Sequence, residues 1–225
     1  MNKKKAIILG ISILAVILVI VGIVVFANKQ KSIKGNNQES QVAQNQESKT
    51  LKLYEKISNS NEYKFSQTID ENNKIVTIIK GDKAYREVTI DGRTSKYIVK
   101  DGNTYYLDDV DKMCYTYENN DQILTEIKEQ FQILKDSVNV SNKKDNVNGK
   151  KYNYEEIPEN QDFLFNNKLE VNNLEYAKTR LYYNNDKLVY IKTIVGDNEE
   201  TQKIDINYSN VDDNYFEIPN DYEKI

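Results

Sequence analysis

The sequence predicts an α+β protein, mainly antiparallel β, in which a strongly curved sheet holds one or two helices in its concave side, preceded by one transmembrane helix. Three observations carry this. Residues 6–27 are an uncharged, almost wholly apolar run. Asp91-Gly92 and Asp101-Gly102 join runs in which apolar and polar residues alternate. Lys74–Lys80 and Lys187–Val195 are apolar on both faces, so each needs a cover on its second side, unlike a sheet with one wet face.

The N-terminal elements decide location. Residues 1–5 form a tail with three lysines, and Ala6 to Ala27 follows, interrupted only by Gly10, Ser12 and Gly22. As a helix this run reaches roughly 33 Å, enough for a hydrocarbon core of about 30 Å. A cleaved signal peptide would have a shorter apolar core of about 7 to 15 residues, although Val25-Phe26-Ala27 would serve as a cleavage site. The reading adopted is an uncleaved signal-anchor. No cysteine lies near its end, which excludes a bacterial lipid anchor. Long domains translocate largely regardless of charge while a tri-lysine tail resists crossing. The expected topology is single-pass in a bacterial cell membrane, tail in the cytoplasm and C-terminal domain extracytoplasmic. Residues 28–49 are Gln, Asn, Ser, Glu and Lys with little apolar content, a flexible linker that cannot offset the entropy of ordering.

Residues 50–225 are expected to form one domain. Thr50 to Ser58 has the spacing of a short amphipathic helix, with Ser48 available as its cap. The period then changes to two: Tyr63 to Ile69, Lys74 to Lys80, Lys83 to Ile90, Arg93 to Lys100, Asn103 to Leu107 and Met113 to Glu118 read as strands of a meander. Its Asp-Gly turns suit hairpins because both turn positions need positive φ. Ile123, Ile127, Phe131 and Leu134 recur at helical spacing after Asn120 or Asp121 as cap. That helix is the expected cover for the second face of the doubly apolar strands. Asn139 to Gly149 reads as a polar loop, and Lys151 to Ile157 as a strand. After an irregular stretch at Phe163 to Leu174 come strands at Lys178 to Tyr183, Lys187 to Val195 and Glu200 to Tyr208. Tyr215 to Pro219 closes the chain.

Composition excludes much chemistry. There is no histidine and one cysteine, which removes Ser-His and Cys-His pairs, imidazole acid–base work, His-bearing zinc sites and internal disulfides. The chain has 31 Lys and Arg against 35 Asp and Glu; without the three tail lysines the balance is 28 against 35, or −7. Nucleic-acid binding needs clustered excess positive charge, so the balance speaks against a nucleic-acid partner. The abundance of Asn, Lys, Ile and Tyr fits an A/T-rich bacterial genome.

The order of elements, ending in Tyr215-Phe216-Glu217-Ile218-Pro219-Asn220-Asp221-Tyr222, resembles the LolA-like superfamily of extracytoplasmic lipoprotein and lipid carriers over roughly residues 50 to 222. Within it, Tyr97-Ile98-Val99-Lys100-Asp101-Gly102-Asn103-Thr104-Tyr105-Tyr106 and Gly149-Lys150-Lys151-Tyr152-Asn153-Tyr154-Glu155-Glu156 look most like the germination-associated LolA-like proteins of spore-forming clostridia. The resemblance implies a half-barrel sheet around helices. It also implies one of two functions. In carriers the concavity takes acyl chains; in the germination branch the domain is a partner that supports a cell-wall amidase acting on the spore cortex during germination. The absent lipobox cysteine departs from that branch, and a tethered chain departs from a shuttling carrier, which favours partner binding.

No residue is expected to be catalytic, no cofactor or metal is implied, and the expected partners are the membrane through residues 6–27 and an envelope protein or a lipid. Asp108, Asp109 and Asp111 lack the spacing of an EF-hand and read as a solvated turn. Glu155 and Glu156 are neighbours on a strand, point to opposite faces and cannot form an acid–base couple. Asp212-Asp213 reads as a turn. All 17 tyrosines follow the span. Tyr97 with Val99, Tyr105 with Leu107, and Met113 with Tyr115 and Tyr117 fall on alternate positions of neighbouring strands. Matching registers would line them on one face, as core or as a binding surface. Cys114 reads as a packed residue or, if exposed, a link between chains.

Overall fold

The computed structural model describes residues 48–118, 122–137, 143–157, 177–195 and 198–225. The expected tail, span and nearly all of the linker, the helix caps at Asn120 and Asp121, and the stretch from Phe163 to Leu174 lie outside these. Among the described residues no helix is long and apolar enough to cross a membrane.

Helix α1 (Lys49–Asn59) begins where expected: Ser48 is extended, with φ −63° and ψ 130°, and its side chain accepts from the Leu51 N–H. Strands β1 (Glu62–Thr68), β2 (Lys74–Lys80), β3 (Lys83–Ile90), β4 (Arg93–Lys100), β5 (Asn103–Asp108) and β6 (Met113–Tyr117) form the meander. Both Asp-Gly turns have the conformation that selects their residues, with φ of 49° and 74° at Asp91 and Gly92 and 54° and 74° at Asp101 and Gly102. Helix α2 (Gln122–Ser137) follows, then β7 (Lys144–Val147), β8 (Lys150–Ile157), β9 (Ala177–Asn184), β10 (Lys187–Val195) and β11 (Asn198–Asn207). A 3-10 turn at Asp213–Phe216 and a two-residue strand β12 (Glu223–Lys224) complete the chain.

Two of these elements differ from expectation. The polar stretch read as a loop contains β7, joined to β8 by Asn148-Gly149 with φ of 51° and 79°. This is the same turn chemistry as the Asp-Gly pairs, in a strand too short and polar to show alternation. The chain does not close on Tyr215–Pro219, because β12 runs on to pair in parallel with β6.

Among the described residues one open, curved sheet of twelve strands runs in the order β12-β6-β5-β4-β3-β2-β1-β11-β10-β9-β8-β7. Every pairing except β12 with β6 is antiparallel. The sheet is two meanders joined where β11 meets β1. The connection from one edge region, β6, to the other edge, β7, passes through α2. Both helices pack on one face, where Leu53 and Ile57 of α1 and Ile127 of α2 are buried with Phe65, Ile79, Val99, Leu181 and Ile204.

The helices cover only that face. On the back of β2 to β6, Val76, Ile78, Ile98, Leu107 and Cys114 are buried instead by the C-terminal segment through Val211, Phe216 and Tyr222. The doubly apolar character of Lys74–Lys80 is thus explained by helices on one side and the tail on the other, which corrects the assignment of the second cover to α2. In β10 a bulge between Leu188 and Tyr190 sends Leu188 and Ile191 to the helix-side core and Val189 and Tyr190 to the back.

Candidate functional site

The candidate surface is the helix-bearing face of β4 to β6, toward the β12–β6 end of the sheet. Register decides its membership. Tyr97 pairs with Tyr106, which pairs with Tyr115; Val99 pairs with Thr104, which pairs with Tyr117. The rings of Tyr97 and Tyr106 lie 5.3 Å apart and those of Tyr106 and Tyr115 6.0 Å apart, a continuous ladder of offset aromatic contacts. Tyr97, Tyr106 and Tyr115 are half-buried, and Tyr117 at the end is 49% exposed. Val99 sits beneath the helices in the core.

Tyr105 and Leu107 are not on this face. They pair with Ile98 and Lys96 on one side and with Thr116 and Cys114 on the other, and pack on the back of the sheet under the C-terminal tail. The expectation of one face for all six residues is therefore corrected: Tyr97, Val99, Tyr115 and Tyr117 share it, Tyr105 and Leu107 do not, and Tyr106 was the member missed. The signal was present. A two-residue Asp-Gly turn sets Lys100 opposite Asn103, and counting back three positions sets Tyr97 opposite Tyr106.

Burial raises the phenol pKa values of Tyr97, Tyr106 and Tyr117 above their ordinary value. Neighbouring tyrosines add to this at all three, while Arg86 opposes it at Tyr97. These phenols stay neutral at any physiological pH. They can donate hydrogen bonds and offer flat apolar area.

The inner limit of the ladder is a buried ion pair. Arg86, opposite Tyr97 on β3, is 5% exposed; its Nη1 meets Glu126 of α2 and its Nε donates to Thr77 Oγ1 at 3.0 Å. A buried pair adds less net stability than its closeness suggests, since desolvation offsets much of the attraction, but removing one partner is costly. It ties α2 to the sheet beside the inner end of the ladder.

The remaining sequence candidates sit in structural roles. Glu155 turns to the helix face and caps α1, accepting from Ser48 Oγ at 2.8 Å and from the N–H groups of Lys49 at 2.6 Å and Thr50 at 3.0 Å. Glu156 turns to the back and accepts from Arg180 Nε at 2.8 Å. Asp108 accepts from the N–H groups of Val110 and Asp111, closing its own turn. Asp109 pairs with Lys96 at 2.6 Å and accepts from the Tyr222 hydroxyl. Asp212 caps the 3-10 turn and Asp213 pairs with Lys80. No cluster of three potential metal-ligating carboxylate or thiol groups occurs among the described residues. Cys114 is fully buried and burial pushes its thiol pKa up, so it is a packed residue with no surface from which to link chains.

No family model matches the chain, and no curated protein matches it. Among solved structures it is similar to an uncharacterized conserved protein from Thermus thermophilus, with 6% identity, 78% of this chain and 96% of that chain covered, and a TM-score of 0.43. A likeness of that size carries no argument about function.

Proposed function

We propose that this chain is a non-catalytic binding domain of the LolA-like kind, membrane-anchored through residues 6–27 and extracytoplasmic, with its curved sheet forming a half-barrel around the two helices. It holds a protein partner, a cell-wall hydrolase such as a spore-cortex amidase, on the tyrosine ladder. The observation that supports this is the ladder of Tyr97, Tyr106 and Tyr115 with exposed Tyr117 two residues along β6 on the same face. Tyrosines supply large amphipathic contact area at low entropic cost and are enriched in interface cores. The helix-side interior supports a partner over an acyl chain, because Leu53, Ile57 and Ile127 fill it against Phe65, Leu181 and Ile204.

The test is capture with tagged full-length chain from sporulating cells, comparing wild type with a Tyr106→Ala, Tyr115→Ala, Tyr117→Ala variant. Wild type should recover a cell-wall hydrolase and the variant about tenfold less or lower still, the loss expected of a hot-spot cluster. Recovery of no envelope enzyme, or equal recovery by both, overturns the reading. A lipid retained by wild type in native mass spectrometry would put an acyl-chain carrier in its place.

A further inference from the structure

Among the described residues, the β7–β8 hairpin of this acidic domain gathers four lysines. Lys143, Lys144, Lys150 and Lys151 lie in and beside β7 and β8 and are all exposed. Lys144 and Lys151 share one face of this edge hairpin, paired with Asn153 and Asn146, while Lys150 is on the other face, 5.3 Å over the ring of half-buried Tyr152. Asp145, the acid within this set, lies on the back of the sheet, the face that also carries Tyr152 and Lys150. There it accepts from Tyr182 OH at 2.8 Å and Arg180 Nη1 at 3.1 Å and lies 3.6 Å from Lys192. Elsewhere among the described residues Lys80, Lys96, Lys100, Lys112 and Lys187 are paired with carboxylates, whereas Lys74, Lys203 and Lys224 stand singly without an ion pair. Among the described residues, none of the four hairpin lysines is ion-paired.

The chain enters the domain at the same place. Ser48, Lys49 and Thr50 are bound by Glu155 of β8, the strand that carries Lys150 and Lys151, and Lys49 reaches Asp186 of the adjacent turn at 3.2 Å. From the anchor reading, which this inference rests on, about twenty linker residues separate this point from the bilayer. A flexible chain of that length has an r.m.s. reach of about 25 Å. We infer that the β7–β8 hairpin docks on the anionic phospholipid surface of the membrane that anchors the chain. Lysines near such a surface each contribute about a fivefold factor, and tethering supplies an effective concentration in the millimolar range, so a weak patch is occupied. Tyr152 beside Lys150 adds an amphipathic ring of the kind that settles at headgroup level.

The test places the full-length chain in lipid nanodiscs of phosphatidylcholine alone or with phosphatidylglycerol and reads amine acylation residue by residue by mass spectrometry. Labelling of Lys143, Lys144, Lys150 and Lys151 should fall severalfold in the anionic discs and recover at 1 M salt, where the screening length is about 3 Å. Lys224, on the opposite edge strand, should not change. In a Lys144→Glu, Lys151→Glu variant the protection of Lys143 and Lys150 should vanish. Equal labelling in both disc types overturns the inference, and leaves the partner reading standing if hydrolase capture persists. A chain that does not enter the discs overturns both the anchor and this docking.

Discussion

Among the described residues, the covering layer on the back of β2 to β6 is a piece of chain, Val211 to Tyr222, whereas on the back of β8 to β10 it is made of side chains that reach across the strands themselves. Under the tail the contacts are apolar, centred on Phe216, which is fully buried with Ile78, Ile98 and Cys114. Across β8 to β10 the buried residues are tyrosines and charges. Tyr154 and Tyr182 pack 5.5 Å apart, and Arg180 lies 4.8 Å over the Tyr154 ring while donating to Glu156 and Asp145. Lys192, only 8% exposed, pairs with Glu199 at 3.0 Å. An apolar roof borrows distant sequence and gains by burial; a charged roof uses the strands' own residues and gains only if every polar group is matched.

The comparison breaks most visibly at Phe216. Phe216→Ala should cost about 3 to 5 kcal/mol, read as a fall in the midpoint of chemical unfolding, because it opens a cavity between tail and sheet. A loss under about 1 kcal/mol would mean the tail is a loose cover. On the other patch, Arg180→Met keeps the aliphatic stem over Tyr154 but removes the cation that pairs with Glu156 and one of the partners of Asp145. We expect a loss of about 2 kcal/mol, from charge-assisted hydrogen bonds in a site partly open to water.

The smallest effect separates the two roofs by pH. Burial pushes the Asp145 carboxyl upward, but the hydrogen bonds from Tyr182 and the Asn146 N–H and the charges of Lys192 and Arg180 outweigh it, leaving the pKa below its ordinary value. A depressed folded-state pKa stabilises above the unfolded value of about 4 and is lost as pH falls through the folded value. The stability gap between wild type and Asp145→Asn should therefore shrink below about pH 4. The gap for Phe216→Ala should not follow it. Parallel behaviour of the two variants in acid would show that the patches unfold as one polar network.

How much was legible follows from how local each signal is. Asp91-Gly92 and Asp101-Gly102 announced their hairpins because positive φ is a property of the turn residues alone, and Asn148-Gly149 carried the same signal in a strand that did not alternate. Ser48 could be read as a cap from its place before an apolar period, but its tie to Glu155 across the fold could not. Alternation identified Tyr105 and Leu107 as partners within a strand without saying which face they took. Because side chains repeat every two residues, pairing by one position more or less exchanges the faces.

The sequence by itself determined the mainly antiparallel class, the order of helices and most strands, and the exclusion of imidazole chemistry and of an internal disulfide, since these depend on residue type and short-range spacing. Tertiary structure alone decided that α1 and α2 share one face and that the tail roofs the other. It also decided which tyrosines meet as a ladder, and that four lysines stand unpaired beside the domain's entry point. Each of those outcomes is a contact between residues far apart in the chain. Such contacts are set by which apolar face finds cover and which charge finds a partner, a competition that no single segment contains.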